Sequence, residues 1–304
     1  MSAVANDLAG IEVLRNESLR KHTSWRVGGP ADSFFMPTTV AELQIILREL
    51  PAATPVHWLG LGSNLLVRDG GVRGAVIATG SLPRELERQG DHRVRASAGL
   101  ACMLLAKRCV RWQLGPAAFF AGIPGTVGGA LAMNAGAFGG ETWTHVESVT
   151  TIDRRGQIKE RPRADFEIDY RTARGAAGEW FLGAVFEFEL DTSSSMDAIK
   201  ELLARRNSAQ PLGHPSCGSV FRNPPGDFAG RLIEQAGMKG RRLGGEMVAD
   251  KHANFIINTG NATAADIEAL IQEVRAAVER TSGVLLELEV RVIGEPAASA
   301  AGSL

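Results

Sequence analysis

The sequence predicts an α+β protein, and three observations carry that prediction. Helical and strand patterns follow one another without the regular strand–helix–strand alternation of a doubly wound sheet. The length of 304 residues fits roughly two domains. Residues 115–140 read GPAAFFAGIPGTVGGALAMNAGAFGG, an uncharged Gly/Ala run. Glycine lets another surface come close to main chain, so a run of this kind points to a large ligand lying against backbone.

Composition narrows the class. Apolar residues make up 44% and charged residues 22%, ordinary for a globular protein. A net charge of −1 leaves no electrostatic footprint for nucleic acid or an anionic membrane surface. Eight glycines and two prolines argue against a membrane span at 115–140. Cys102, Cys109 and Cys217 are odd in number and form no C-x-x-C pair, so neither a disulfide framework nor a zinc or other metal site is expected. The first residues lack a basic and an apolar region, so no signal peptide is expected and the location is read as cytoplasmic.

Along the chain, residues 1–22 read as a short helix and a loose lead-in. SFFM before Pro37 reads as a strand, after a turn at Val27–Pro30. Residues 38–50 form an amphipathic helix with Thr38 or Thr39 as cap. Residues 55–69 are strand, glycine turn, strand; 71–79 and 92–99 are strands; 100–112 is a helix. Further strands are expected at 145–153, 157–160, 180–190, 253–258 and 284–294. Helices are expected at 197–207, at 230–237 and from Thr263, where Asp266 three residues on suggests a capping box. A composition shift near 191–197 sets a boundary: residues 1–190 form one domain, with subdomains of about 1–80 and 81–190. Residues 191–295 form a second, and 296–304 a disordered tail.

Two glycine-rich sites offer main-chain N–H groups to a phosphate. The first is the turn Gly60, Leu61, Gly62, Ser63 and Asn64, running into Leu65. It lacks the third glycine and the following helix of a dinucleotide fingerprint, and taken alone it reads as a plain hairpin turn. The second lies within the long run: Gly122, Ile123, Pro124, Gly125, Thr126, Gly128 and Gly129, then Asn134, Ala135 and Gly136. Helix-on-sheet packing is the alternative to main chain bared for a ligand there. Other residues are ambiguous on their own. Ser219 reads as a turn hydroxyl, His252 as structural, and Cys217 has no assignable histidine partner. Glu287 and Glu289 share a strand face, so alternation does not choose between them.

The two glycine-rich sites and the Val27–Pro30 turn resemble the FAD-binding fold shared with vanillyl-alcohol oxidase. Six blocks narrow the resemblance: TSWRVGGPAD, GLGSNLLV, AGIPGTVGGALAMNAGA, CGSVFRNP, KHANFIIN and LELEVRVIG. Together they resemble the UDP-N-acetylenolpyruvoylglucosamine reductase family over about residues 23–294. That resemblance implies a two-subdomain FAD-binding fold plus a C-terminal α+β substrate-binding domain. It implies FAD and NADPH as cofactors, a UDP-sugar substrate, and reduction of an enolpyruvyl ether in peptidoglycan precursor synthesis. NADPH is expected to share the substrate cleft.

The resemblance also implies roles. Arg171, in DYRTAR, stabilises the enolate; Ser219 donates the proton; Glu289 acts with Arg171. Tyr170, Arg222, Asn223, Lys251 and His252 contact substrate. The chain departs from the family pattern at Ala173, usually Ser, and at Arg222, often Lys. Only one helix fits between Asp191 and Gln210, which suggests the shorter family type without an inserted loop. Another FAD-dependent oxidase or dehydrogenase on the same fold is the rival reading, and a non-catalytic nucleotide sensor is a more distant one.

Overall fold

The computed structural model describes residues 6–298. The expected tail therefore lies partly outside the described residues, from 299 onward.

Three layers of structure follow one another. The first is a five-stranded sheet of Asn6–Leu8, Ile11–Ser18, Pro30–Phe35, Val72–Ala78 and Val56–Leu59, in that spatial order. Helix α1 (Val40–Glu49) covers one face, with Leu43, Ile46 and Leu47 buried against Phe35 and Ile77. Thr39 caps it by accepting from the Glu42 N–H at 3.1 Å. The expected helical lead-in is instead an antiparallel strand pair. Its two-residue loop, Ala9–Gly10, has φ of 52° and 85°, the mirror-type turn that matches strand twist. Only Val13 in Ile11–Ser18 is fully buried, so the stretch carries almost no alternating apolar signal.

The second layer is an antiparallel sheet of Ile158–Pro162, Val146–Asp153, Glu179–Glu187, Arg93–Ser97 and Leu86–Gln89. Helices α2 (Cys102–Arg111), α3 (Val127–Ala132) and α4 (Met196–Ala209) share one core with it. Ile199 of α4 sits in that core beside Phe120, Phe186 and Phe188, although it follows Asp191 in sequence.

The third layer holds α5 (Ala229–Gln235), α6 (Ala264–Ser282) and the small sheet Arg242–Leu243, Glu246–Val248, Ile256–Asn258. Thr263 and Asp266 form the expected capping box of α6. Residues from the start of the chain complete this layer. Trp25 is fully buried, donates Nε1 to the Ile256 carbonyl at 2.7 Å, and accepts from Asn258 Nδ2 at 2.9 Å. The Asp69 carboxylate accepts from the N–H groups of Ala264 and Ala265 at 3.0 and 2.9 Å, adding a second cap to α6.

Two expectations about strands need correcting. The strands around the 60–64 turn are not a hairpin. Val56–Leu59 pairs in parallel with Val72–Ala78, and Leu65–Val67 pairs in parallel with Arg291–Ile293. The turn thus carries the chain from the first sheet to a strand at the far end of the sequence. The expected strand 284–294 is regular only over Arg291–Ile293. Before it, the Glu289 and Arg222 N–H groups bond to the Val220 and Glu287 carbonyls across a single bridge.

One buried group makes the third layer pH-sensitive. Glu246 is fully buried, and neither carboxylate oxygen has a hydrogen-bond partner among the described residues. Burial, followed by the nearby charge of Asp266, pushes its carboxyl from 4.5 up to about 7. The folded state therefore holds this proton more tightly than the unfolded chain. Its stabilising contribution is complete below about pH 4.5 and is lost as pH rises to about 7. Glu246→Gln should raise the melting temperature at pH 8.5 by about 3–6 °C and change it much less at pH 5. Thermal scans at the two pH values that gave equal shifts would contradict this account.

Candidate functional site

The site begins at the 60–64 turn. Among the described residues, the N–H groups of Leu61, Gly62, Ser63 and Asn64 have no protein acceptor. Four consecutive donors at one turn make a concavity for an anion. Two carbonyls of the same turn bond to protein. Gly62 O accepts from the Ser24 N–H at 3.1 Å and Asn64 O from the Arg291 N–H at 3.0 Å. Gly62 has φ of 62°, and a Cβ there would clash with the His22 carbonyl.

The glycines of the long run divide by what surrounds them. A Cβ on Gly125 would approach only Ser63 Oγ, at 3.5 Å, and one on Gly60 only Thr126 Oγ1, at 3.2 Å. These two glycine turns face each other across open space. A Cβ on Gly129 would meet only Thr126 Oγ1 at 3.7 Å. Gly128 differs: its Cβ would stand 2.8 Å from Ala98 Cβ, so it is a packing glycine where α3 meets the second sheet. Gly122 packs against Ala137 and Phe138, and Gly136 against the Gly140 carbonyl.

A cavity of about 380 Å³ lies between these turns. Gly60–Leu65 form one wall, and Gly122–Thr126, Gly129, Met133 and Ala135–Phe138 form another. The remaining wall is built from distant parts of the chain: Arg171, Arg206, Gln210, Cys217, Gly218, Ser219, Phe255, Glu289 and Arg291. Arg171, Ser219 and Glu289 are thus brought together, as three separate stretches of sequence.

Arg171 occupies the two-residue loop of a hairpin, Glu167–Asp169 paired with Thr172–Arg174. Its φ of 53° is left-handed, a conformation that L residues rarely adopt. Three of the five guanidinium donors are used within the protein: Nε donates to Glu289 Oε1 at 2.9 Å, Nη1 to Asn134 O and Nη2 to Gly136 O, both at 3.4 Å. The Tyr170 ring lies 4.9 Å from its Cζ. Burial raises the Glu289 carboxyl above its usual range, opposed by the positive charges of Arg171 and Arg222. Asn64 Nδ2 holds the Glu289 carbonyl at 3.0 Å. Ser219 follows Gly218, whose φ is 74°, and its Oγ makes no hydrogen bond within the described residues. Arg174 is exposed and sits 3.5 Å from Glu167, away from this wall. Ala173 packs against the second-layer core.

The other expected site residues lie outside the cavity lining. Asn134 is buried, with its side chain bonded to protein groups. Arg222 Nη2 donates to the Arg171 carbonyl at 3.4 Å, while its Nε is buried without a partner. Asn223 Oδ1 accepts from the Ala229 N–H at the start of α5. Lys251 Nζ donates to the Asn207 carbonyl at 2.5 Å. His252 accepts from the Asn254 N–H at Nδ1, and burial lowers its pKa.

Sequence reasoning missed Trp58, Arg206, Gln210, Phe255 and Arg291, all in the lining. Arg206 and Gln210 are linked across one turn at the end of α4, Nε to Oε1 at 2.9 Å. Their four-residue spacing was the one available signal. Cys217, without an assignable histidine partner in the sequence, also lines the cavity. Its thiol is pushed up to about 12 by burial and donates to the Leu65 carbonyl at 3.2 Å. It is un-ionised and ties the Ser219 loop to the glycine turn.

Comparison with known proteins decides the family. The chain is 55% identical to a UDP-N-acetylenolpyruvoylglucosamine reductase of Alkalilimnicola ehrlichii, over 92% of this chain and 94% of that one. The chain belongs to the UDP-N-acetylenolpyruvoylglucosamine reductase family. A relative with the same description in Methylococcus capsulatus is 54% identical over 93% of each chain. Residues 210–293 match the C-terminal domain of the family, and residues 31–161 match an FAD binding domain that spans both glycine turns. The crystal structure of the Thermus caldophilus family member superposes with a TM-score of 0.78 at 32% identity, covering 93% of this chain and 99% of that one. The α+β architecture expected from sequence is therefore the family's.

The glycine surroundings give a test that separates ligand contact from packing. Gly125→Val should leave the protein folded but lower the flavin recovered with it by about tenfold or more, because two methyls enter the open space facing Ser63. Gly128→Val should destabilise the fold by about 1–3 kcal/mol through overpacking against Ala98. Flavin content per folded protein and denaturant midpoints check both. The opposite pattern would reassign the two glycines.

Proposed function

We propose that the chain uses NADPH, through FAD, to reduce UDP-N-acetylglucosamine enolpyruvate to UDP-N-acetylmuramate in peptidoglycan precursor synthesis. Family membership supports the reaction. One observation supports the assignment of residues: Arg171, Ser219 and Glu289 line the same cavity as the turn Leu61–Asn64, whose N–H groups have no protein acceptor among the described residues.

The residues fit an FAD diphosphate. The N–H groups of Leu61–Asn64 have no protein acceptor, and Gly60, Gly125 and Gly129 leave the space between the turns clear of side chains. In this reading residues 1–190 hold the flavin between two subdomains, and residues 191–295 carry the substrate over it. When bound, FAD takes hydride from NADPH and supplies it to the methylene carbon of the enolpyruvyl group.

The protein's own groups do the rest. Hydride at the methylene carbon drives negative charge onto the neighbouring carbon and the carboxylate. Arg171 stands ready for that charge, its guanidinium already fixed by three bonds, so little reorganisation is needed as the charge develops. Glu289 holds Arg171 in place by accepting from its Nε at 2.9 Å. Ser219 donates its hydroxyl proton to the carbon beside the ether oxygen, completing the lactyl group, and recovers a proton from solvent. A serine is a weak acid, so the step requires the strongly basic carbon that the first step creates. Tyr170 and Arg222 flank Arg171 and are assigned to the substrate, with Asn223, Lys251 and His252 further out.

Anaerobic addition of NADPH should bleach the flavin absorbance, and the enolpyruvyl substrate should then restore it. Ser219→Ala should leave the bleaching rate within about twofold and slow the recovery by roughly 10²–10⁴-fold. A protein without flavin absorbance, or a bleached flavin that the substrate never restores, would remove the proposed reaction. Equal damage to both steps would remove Ser219 as proton donor.

A further inference from the structure

Asn134 makes three side-chain hydrogen bonds near the site, and none of the partners lines the cavity. It follows α3, is 1% exposed, and has a left-handed backbone with φ of 43°. Its Oδ1 accepts from the Trp143 N–H at 3.0 Å. Its Nδ2 donates to Glu141 Oε2 at 3.0 Å and to the Asp169 carbonyl at 3.1 Å. Its own carbonyl accepts from Arg171 Nη1.

These bonds converge on one element. Asp169 is the last strand residue before the loop Tyr170–Arg171, so the amide grips the hairpin two residues from Arg171. The carbonyl of the same residue grips the guanidinium itself. Arg171 is thus held at both its root and its tip by Asn134. We propose that Asn134 is a positioning residue for Arg171, acting on the substrate half-reaction rather than through contact with the cofactor. The proposal rests on the assignment of Arg171 to the developing charge.

The residue type fits this task. The position needs a donor pair, an acceptor and tolerance of positive φ, and asparagine supplies all three. Aspartate keeps the shape and the acceptor but loses the donor to the Asp169 carbonyl and sets a second carboxylate against Glu141. Glycine keeps the backbone conformation and removes every side-chain bond.

The test uses Asn134→Gly and Asn134→Asp, each alone and in an Arg171→Ala background. In either single variant the FAD dissociation constant and the rate of flavin reduction by NADPH should stay within about twofold of the parent. Reoxidation by the enolpyruvyl substrate should slow by about 10–100-fold, the scale expected when a positioned group shifts by about 1 Å. In the Arg171→Ala background the same change should cost less than about twofold, because both substitutions remove one function. Hydrogen exchange adds a readout free of turnover: amides of 170–172 should lose protection in Asn134→Gly while FAD affinity is unchanged. If the parent fails to reduce the enolpyruvyl substrate but the exchange result holds, the reaction is misassigned and the positioning role stands. Weakened FAD binding in proportion to lost activity, full additivity with Arg171→Ala, or unchanged exchange at 170–172 would overturn the positioning role.

Discussion

The 60–64 turn is the constraint on which the rest of the structure depends, because it is polarised. Among the described residues the N–H groups of Leu61–Asn64 have no protein acceptor, while the Gly62 and Asn64 carbonyls accept from Ser24 and Arg291 and the Asn64 amide donates to the Glu289 carbonyl. Arg291 N–H, the Glu289 carbonyl, Ser24 N–H and the Cys217 thiol all attach to this turn or to Leu65 beside it. A hairpin would have closed those groups on one another. Because the flanking strands join different sheets, the turn is free to offer donors on one side and anchor the reacting wall on the other. In the proposed reading, one five-residue segment therefore sets the cofactor cradle and the catalytic wall relative to each other.

The second constraint is the half-buried Arg171–Glu289 pair, whose side chains are 17% and 13% exposed. Such a pair is retained only when both partners are well bonded, since a lone buried charge is strongly destabilising. Arg171 meets that condition through main-chain carbonyls of Asn134 and Gly136, which belong to the glycine-rich run. The left-handed backbone at Arg171 is held by a hairpin that Asn134 anchors. Strain at Arg171 is thus balanced by bonds from the glycine-rich run.

Much of this was legible in the sequence, for local reasons. Helix α1, the capping box of α6 and the two glycine turns follow from spacing and residue type alone. Letters did not distinguish Gly125, which faces open space, from Gly128, which packs on Ala98; that depends on which sheet lies behind α3. The first strand pair was hidden because Ile11–Ser18 buries little apolar surface. The choice of Glu289 over Glu287 needed the family pattern, and the structure adds its contact with Arg171. Arg206 and Gln210 escaped because a polar pair at a helix end reads as a solvated face. The side-chain bond from Asn134 to a hairpin 35 residues on is not visible in the spacing of the run.

The central claim is that the wall carrying Arg171, Ser219 and Glu289 serves the substrate half-reaction while the glycine turns serve the flavin. Glu289→Gln separates them most directly, since it preserves shape and removes the charge that fixes Arg171. Stopped-flow absorbance should show reduction by NADPH within about twofold of the parent and reoxidation by the enolpyruvyl substrate slower by about 10²-fold or more. Equal slowing of both steps, or no slowing of either, would contradict the account.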